Sequence, residues 1–289
     1  PPIVPAVVKF VDIAGLVKGA HKGEGLGNQF LSHIREVDAI VFVVRNFVNA
    51  DIIQTGSGDP KDDLEVLKSE LLLKDLETID KRIDSLAREL KTTTPTDPKR
   101  KTMEVLERAK QLVQEGKWLD GLLDTEEIEK IKELSLLSAK KTIVVVNTDE
   151  AGLKEQGDAL LISAKLEEEL SQLSEEEQKE YLKELGLSES GLERLIKKGY
   201  ETLGLASFLT AGDKEVRAWT IARGMLAPQA AGTIHGDFER GFIAADVVPW
   251  EIFVEVGGWK ASRALGRVTT IGKADEVKDG MVVEFKFSV

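Results

Sequence analysis

The sequence predicts an α/β protein: a parallel sheet interrupted by an α-helical hairpin, followed by a smaller α+β domain. Three observations predict it. Four short runs are near-continuously apolar, a heptad seam of leucine and isoleucine separates them, and the texture turns to alternating strands after residue 205. Continuous apolar runs suit strands covered by helices on both faces, whereas alternation suits a half-buried sheet.

The four runs fall at 6–13, 39–44, 142–146 and 159–162. Between the first two, Leu26, Phe30, Ile34 and Val37 share one helical face, which makes a β-α-β unit. Next come Leu72, Leu76, Ile79, Ile83, Leu86 and Leu90, spaced alternately by four and three. The run Thr-Thr-Thr-Pro-Thr-Asp-Pro at 92–98 must break that helix. A second helical periodicity, Val105, Leu106, Ala109, Leu112 and Val113, ends near Gly116. The two helices form an antiparallel hairpin covering about 62–138, an insertion, because an apolar strand resumes after it.

Residues 165–203 read as helix-rich and acidic, a solvated face. From 206 on, the stretches 216–221 and 281–285 alternate like half-buried strands, and Lys278-Asp279-Gly280 marks the turn before the last one. The expected domains are 1–205, with the hairpin inside, and 206–289.

With 289 residues the chain can fill two cores, and 42% apolar with 31% charged residues is ordinary for a globular protein. No apolar run reaches the ~20 residues of a membrane span. Cysteine is absent, which excludes disulfides, thiolate catalysis and thiolate-held metal. With no leader-like start, a cytoplasmic home is the expectation. Pro1 opens the chain without an initiator Met, close upstream of a buried-type strand, so an N-terminal portion is expected to be missing.

The net charge of −12 argues against indiscriminate binding of phosphate backbones by the whole surface. Residues 165–190 carry nine Glu against three Lys, whereas 206–289 carry ten bases against eleven acids. The C-terminal part is therefore the better candidate to meet an anionic partner.

Asp12-Ile13-Ala14-Gly15-Leu16 follows the apolar run and carries the chemistry. A strand that ends in Asp and turns at Gly delivers two groups to a γ-phosphate. The carboxylate reaches Mg²⁺ through a water, and the Gly N–H faces the phosphate with no Cβ in the way. Many strand-to-turn junctions read the same way. The continuation from Leu16 through the Gly-rich run 19–27 to Leu31 is more specific. It resembles the switch region of the Obg-related translation-factor GTPases, and most closely the Obg-like ATPases of the YchF family. A loop so rich in glycine can reorder as the γ-phosphate arrives or leaves.

That resemblance implies a P-loop NTPase sheet of the G-domain kind. In that superfamily the strand at 142–146 is followed by a base-reading Asn-x-x-Asp, here Asn147-Thr148-Asp149-Glu150. Glu150 is one methylene longer than the Asp that suits guanine, a departure shared with the ATP-preferring Obg-like ATPases. The reading that competes is a strand-end Asn capping the next turn. Ser163-Ala164-Lys165 matches the third base-contacting motif, its backbone N–H and lysine stem facing the purine. Leu16 stands where many GTPases carry the Gln that orients the attacking water, so hydrolysis must use another group or run slowly. The catalytic His of many relatives falls here on Phe42, and His21 is the nearest imidazole, better read as loop filler. His33 is read as structural. No Gly-x-x-x-x-Gly-Lys-Ser/Thr occurs in the 289 residues, and in the family it lies N-terminal to the first strand.

Thr210-Ala211-Gly212, the run 214–221, the run 227–232 and the stretch 234–243 resemble the family's TGS domain, a β-grasp-like module associated with RNA or ribosome contact. Gly236 departs from the usual Thr, the run 259–271 matches poorly, and His235 is assigned a core or hinge role. The resemblance implies a protein that binds Mg·ATP, hydrolyses it slowly and meets the ribosome or ribosomal RNA through hairpin and TGS domain. Asp12 would hold Mg²⁺, Gly15 the γ-phosphate, and Asn147, Glu150, Ser163, Ala164 and Lys165 the base. The alternatives are a non-hydrolysing adaptor without a P-loop, or a GTPase.

Overall fold

The computed structural model describes residues 1–12, 33–47, 59–92, 94, 96–154 and 159–288. These divide into two compact units, one of residues 11–198 and one of 1–10 with 199–289.

In the first unit β2 (Ala39–Asn46), β3 (Lys141–Thr148) and β4 (Leu160–Ile162) form a parallel sheet in that order. β2 and β3 pair from Ala39↔Lys141 to Asn46↔Thr148, two and three residues longer than their apolar runs predict. Residues 33–36 are helical, and Ile34 packs with Phe42, Leu71 and Leu137.

The hairpin is α1 (Pro60–Leu90) and α2 (Lys99–Gln114), and the Pro-containing run between them breaks the helix as expected. Asp59 caps α1 by accepting from the Lys61 N–H at 2.8 Å, and Pro60 sits where its missing donor costs nothing. The seam residues Leu72, Ile79 and Leu86 are buried against Val105, Leu106, Ala109 and Val113. α3 (Thr125–Ile131), capped by a reciprocal Asp124–Glu127 box, closes the base of this cluster.

A second stripe on α1, Leu64, Leu67, Leu71, Asp75 and Thr78, faces the sheet end. Asp75 is fully buried. Its Oδ1 accepts from the Leu137 N–H at 2.9 Å, and its Oδ2 from the Ser138 N–H at 2.7 Å and hydroxyl at 2.6 Å. Nearby the Lys140 ammonium donates to the carbonyls of Arg35 and Val37, and Arg35 donates to the Thr78 hydroxyl at 3.0 Å. Trp118 adds an indole N–H to the Lys140 carbonyl at 2.8 Å and sits edge-on to Phe42.

α4 (Ala164–Leu170), α5 (Glu175–Glu184) and α6 (Gly191–Leu203) follow β4. Their acidic faces are wet, while Leu166, Leu170 and Leu182 make a small core.

The other unit is a six-stranded mixed sheet in the order β1-β6-β5-β9-β7-β8. Its strands are β1 (Ile3–Val4), β5 (Leu205–Ala211), β6 (Val216–Ala222), β7 (Phe242–Pro249), β8 (Thr269–Ile271) and β9 (Met281–Phe287). One face carries Phe208, Phe242, Val247 and Val283 under α7 (Ala227–Gly232). The fully buried Ala227, Ala230 and Ala231 let that helix lie close to the strands. α8 (Gly236–Arg240), α9 (Trp250–Val256) and α10 (Trp259–Ala264) complete the unit. Gly280, at φ +74°, forms the turn before β9.

The first expected strand is corrected. Residues 5–12 form none, Ile13 lies outside the described residues, and the ordered pairing is β1 beside β6, Ile3↔Val216 and Val4↔Arg217. Pro2 offers only its carbonyl, accepting from the Val216 N–H at 3.0 Å, and Pro5 has no N–H to carry a ladder onward. Apolar patterning specifies burial but not a partner strand.

Burial pushes the Asp75 carboxyl above its ordinary 3.8, against the pull of the Ser138 and Leu137 donors. The folded state therefore holds that proton more tightly than the unfolded chain. The stabilisation is full below 3.8 and is lost as pH climbs through the raised folded value. In Asp75→Asn an amide NH₂ must face backbone donors, which destabilises by about 1–3 kcal/mol at neutral pH. Denaturant unfolding across pH should show the wild-type advantage over Asp75→Asn largest in acid and shrinking as pH rises; a pH-independent gap refutes the assignment.

Candidate nucleotide-binding site

The C-terminal ends of β3 and β4 lie side by side, with Asn147 opposite Ile162. In an open parallel sheet that edge is where ligands bind. The Asn147 carboxamide oxygen accepts from the Ala164 N–H at 3.0 Å, so the two sequence-predicted base motifs are joined directly. Ser163, buried at the start of α4, accepts from the Leu166 N–H at 3.3 Å and fixes the helix entry. Lys165 is exposed and its ammonium lies 3.7 Å from Glu169.

Turn capping after β3 falls not to Asn147 but to Asp149, whose Oδ1 accepts from the Gly152 N–H at 2.9 Å. Beneath that turn Thr148 is buried and donates to the Asn46 carbonyl at 3.3 Å. A Cβ on Gly152 would stand 2.0 Å from the Thr148 hydroxyl, so only glycine permits this approach. Sequence reasoning missed Asp149 and Gly152, although an Asp followed three residues later by Gly is a turn signal.

Glu150 is exposed at the rim of a hollow of about 180 Å³, with Ala151, Leu153, Leu185 and Leu187 as its other walls. That is smaller than the ~300 Å³ at the low end of whole-ligand pockets, so it suits a fragment of a ligand. Leu185 and Leu187, from the end of α5, could not be assigned here from sequence because nothing in their spacing points at β3.

Asp12 is exposed and outside any strand. Gly15, Leu16, His21 and the Gly-rich run lie outside the described residues. His33 is exposed on the helical turn 33–36. His235 is corrected: it lies at the surface and caps α8, its Nδ1 accepting from the Asp237 N–H at 3.2 Å. Its neighbour Gly236 stands in open space, with nothing within 4 Å of where a Cβ would lie. Among the described residues no group of three His, Cys, Asp or Glu could hold a metal ion, and no helix is long and apolar enough to cross a membrane.

Residues 205–288 match the C-terminal family model of YchF GTPases, described as "Protein of unknown function (DUF933)". Residues 4–96 match the family "50S ribosome-binding GTPase". The chain is 42% identical over 305 residues to "Ribosome-binding ATPase YchF" of Bacillus subtilis, covering 99% of this chain and 83% of that protein. It is 43% identical over 302 residues to the protein of the same name from Escherichia coli O157:H7, with the same coverage. The solved YchF GTPase of Schizosaccharomyces pombe superposes with a TM-score of 0.83 at 37% identity, over 99% of this chain and 82% of that one.

Substituting Gly152→Ala should lower unfolding stability by about 1–3 kcal/mol, as overpacking does. Adding Thr148→Ala removes the atoms in the way and should recover part of the loss. Equal stability of Gly152→Ala and wild type in denaturant would refute the close approach.

Proposed function

The chain belongs to the YchF family of Obg-like ATPases, and on that premise we propose that it is an ATP-binding, ribosome-associated nucleoside-triphosphatase. The observation that carries this reading is the Asn147–Ala164 hydrogen bond, which fastens both base-reading motifs at one sheet edge. With Asn147 committed to that bond, the base meets the edge formed by Asn147, Glu150 and the Ser163-Ala164-Lys165 backbone. The apolar hollow beside Glu150 takes the part of the ligand that needs no hydrogen bonds. The preference for adenine rests on Glu150. A carboxylate one methylene too long meets the guanine N1–H and 2-amino donors poorly, whereas adenine offers a lone pair at N1 and asks nothing of it.

Gly15 is assigned to the γ-phosphate and Asp12 to the metal. A lone exposed carboxylate fits Mg²⁺, which is commonly held through one or two carboxylates with waters and substrate phosphates. When bound, the ion neutralises charge developing on the phosphate oxygens. Leu16 cannot orient a water, so slow hydrolysis is the expectation, set by positioning rather than by a base. The helical hairpin and the C-terminal unit are the assigned ribosome contacts, and a cytoplasmic location follows from that partner.

Equilibrium titration of the purified protein with fluorescent ATP and GTP analogues tests the reading. ATP should bind more tightly. Glu150→Asp should raise the GTP-to-ATP affinity ratio by about tenfold or more, the worth of one charge-assisted hydrogen bond. GTP binding as tight as ATP binding in the wild type would replace this reading with a GTPase. No affinity for either would favour a non-hydrolysing adaptor.

A further inference from the structure

The inference rests on the ribosome-associated reading and narrows it to one end of the hairpin. Charge is polarised along this arm. Residues 60–87 carry eight acids against five bases, a net of −3. Residues 88–101 carry Arg88, Lys91, Lys99, Arg100 and Lys101 against Glu89 and Asp97, a net of +3 in a chain of −12. All five cations are exposed.

Their placement works against the helix that carries them. Lys99, Arg100 and Lys101 fill the first turn of α2, where backbone N–H groups already point a positive partial charge outward, and that turn holds no acid. A sequence that breaks a local rule without a compensating gain in stability marks a surface under another demand. The tip is nevertheless well ordered by ion pairs: Glu89 meets Arg82 at 3.0 Å and Lys99 at 2.6 Å. Arg88 donates to the Asp84 carbonyl and Arg100 to the Thr94 carbonyl, which hold both guanidinium groups at the tip. Thr92, Thr94 and Thr96 add exposed hydroxyls.

We propose that this tip contacts the phosphate backbone of structured ribosomal RNA. Cations and hydroxyls are the groups that bind phosphate oxygens. Among the described residues of 88–101 no large apolar side chain is exposed, so the tip lacks the aromatic or aliphatic anchor on which protein interfaces depend. It also lacks an aromatic on which an unstacked base could lie, so a duplex backbone fits better than a single strand. Contact of this kind is indifferent to base sequence and strongly dependent on salt.

The test uses the full chain and the variant Lys91→Gln/Arg100→Gln/Lys101→Gln, which spares the Lys99–Glu89 pair. Both are titrated with a short labelled RNA duplex over a salt series and sedimented with purified bacterial ribosomes, with circular dichroism confirming equal helix content. The variant should bind the duplex at least tenfold more weakly at about 100 mM salt, with a log–log salt slope smaller by about two to three. Ribosome association should fall with it. Unchanged affinity and slope, or no duplex binding by the wild type, overturns the proposal. Loss of ribosome association with duplex binding intact also overturns it and points to a ribosomal protein. If the wild type binds the duplex through the tip yet never sediments with ribosomes, the ribosome reading falls while the tip assignment stands.

Discussion

Everything in the α/β unit is referred to the buried carboxylate of Asp75. It sits on the long hairpin helix, yet its three acceptor bonds go to Leu137 and Ser138, just ahead of β3. An insertion of nearly eighty residues would otherwise leave and re-enter the sheet at two separate points. Clamping the return strand to the outgoing helix turns the two into one joint. Removing a charge from water is costly, and the converging donors repay only part of that cost, so burial still leaves the carboxyl above its ordinary value. Lys140, two residues on, uses its half-buried ammonium the same way on the carbonyls of Arg35 and Val37. Burial pulls that ammonium below its ordinary value, with Asp38 and Asp75 opposing.

The joint sets the sheet edge of the candidate site by register. Once Leu137 and Lys140 are fixed, Lys141 pairs with Ala39 and the ladder runs without a bulge to Thr148 opposite Asn46. Asn147 then stands beside Ile162, and its side chain meets the Ala164 N–H. A slip of one residue would turn Asn147 to the other face of the sheet. Thr148 and Gly152 lock the far end, with no room for another atom between them.

How much of this could be read in advance depends on the kind of signal. The a/d seam of α1 was legible because it repeats over about five turns, from Leu72 to Leu90, and faces one apolar cluster. Asp75 was not, because on that seam an acid at a flanking position reads as solvated. Only the second stripe through Leu64, Leu67 and Leu71, which serves a different neighbour, turns it inward. β2 and β3 were legible as apolar runs. Of the run 6–13, the described residues 6–12 carried the same apolar signal and form no strand, because apolar patterning calls for burial without naming a partner for the ladder. Leu185 and Leu187 were invisible for a third reason: a pocket wall is made by tertiary approach, which leaves no local period.

The same joint bears on what the hairpin can report. Arg35 lies in the helical turn ahead of β2, and it touches α1 through Thr78 while its carbonyl is held by Lys140. Its Nε is buried and has no acceptor among the described residues. The segment ahead of β2, the root of the hairpin and the start of β3 therefore share one set of bonds, and one of them is incomplete. From Thr78 to its end α1 extends about 18 Å. A stiff lever of that length would carry a rotation of about 5° at the joint to a displacement of about 1.6 Å at its end. Small readjustments around Arg35 are thus amplified at the tip by geometry alone, without any change in the packing of the seam.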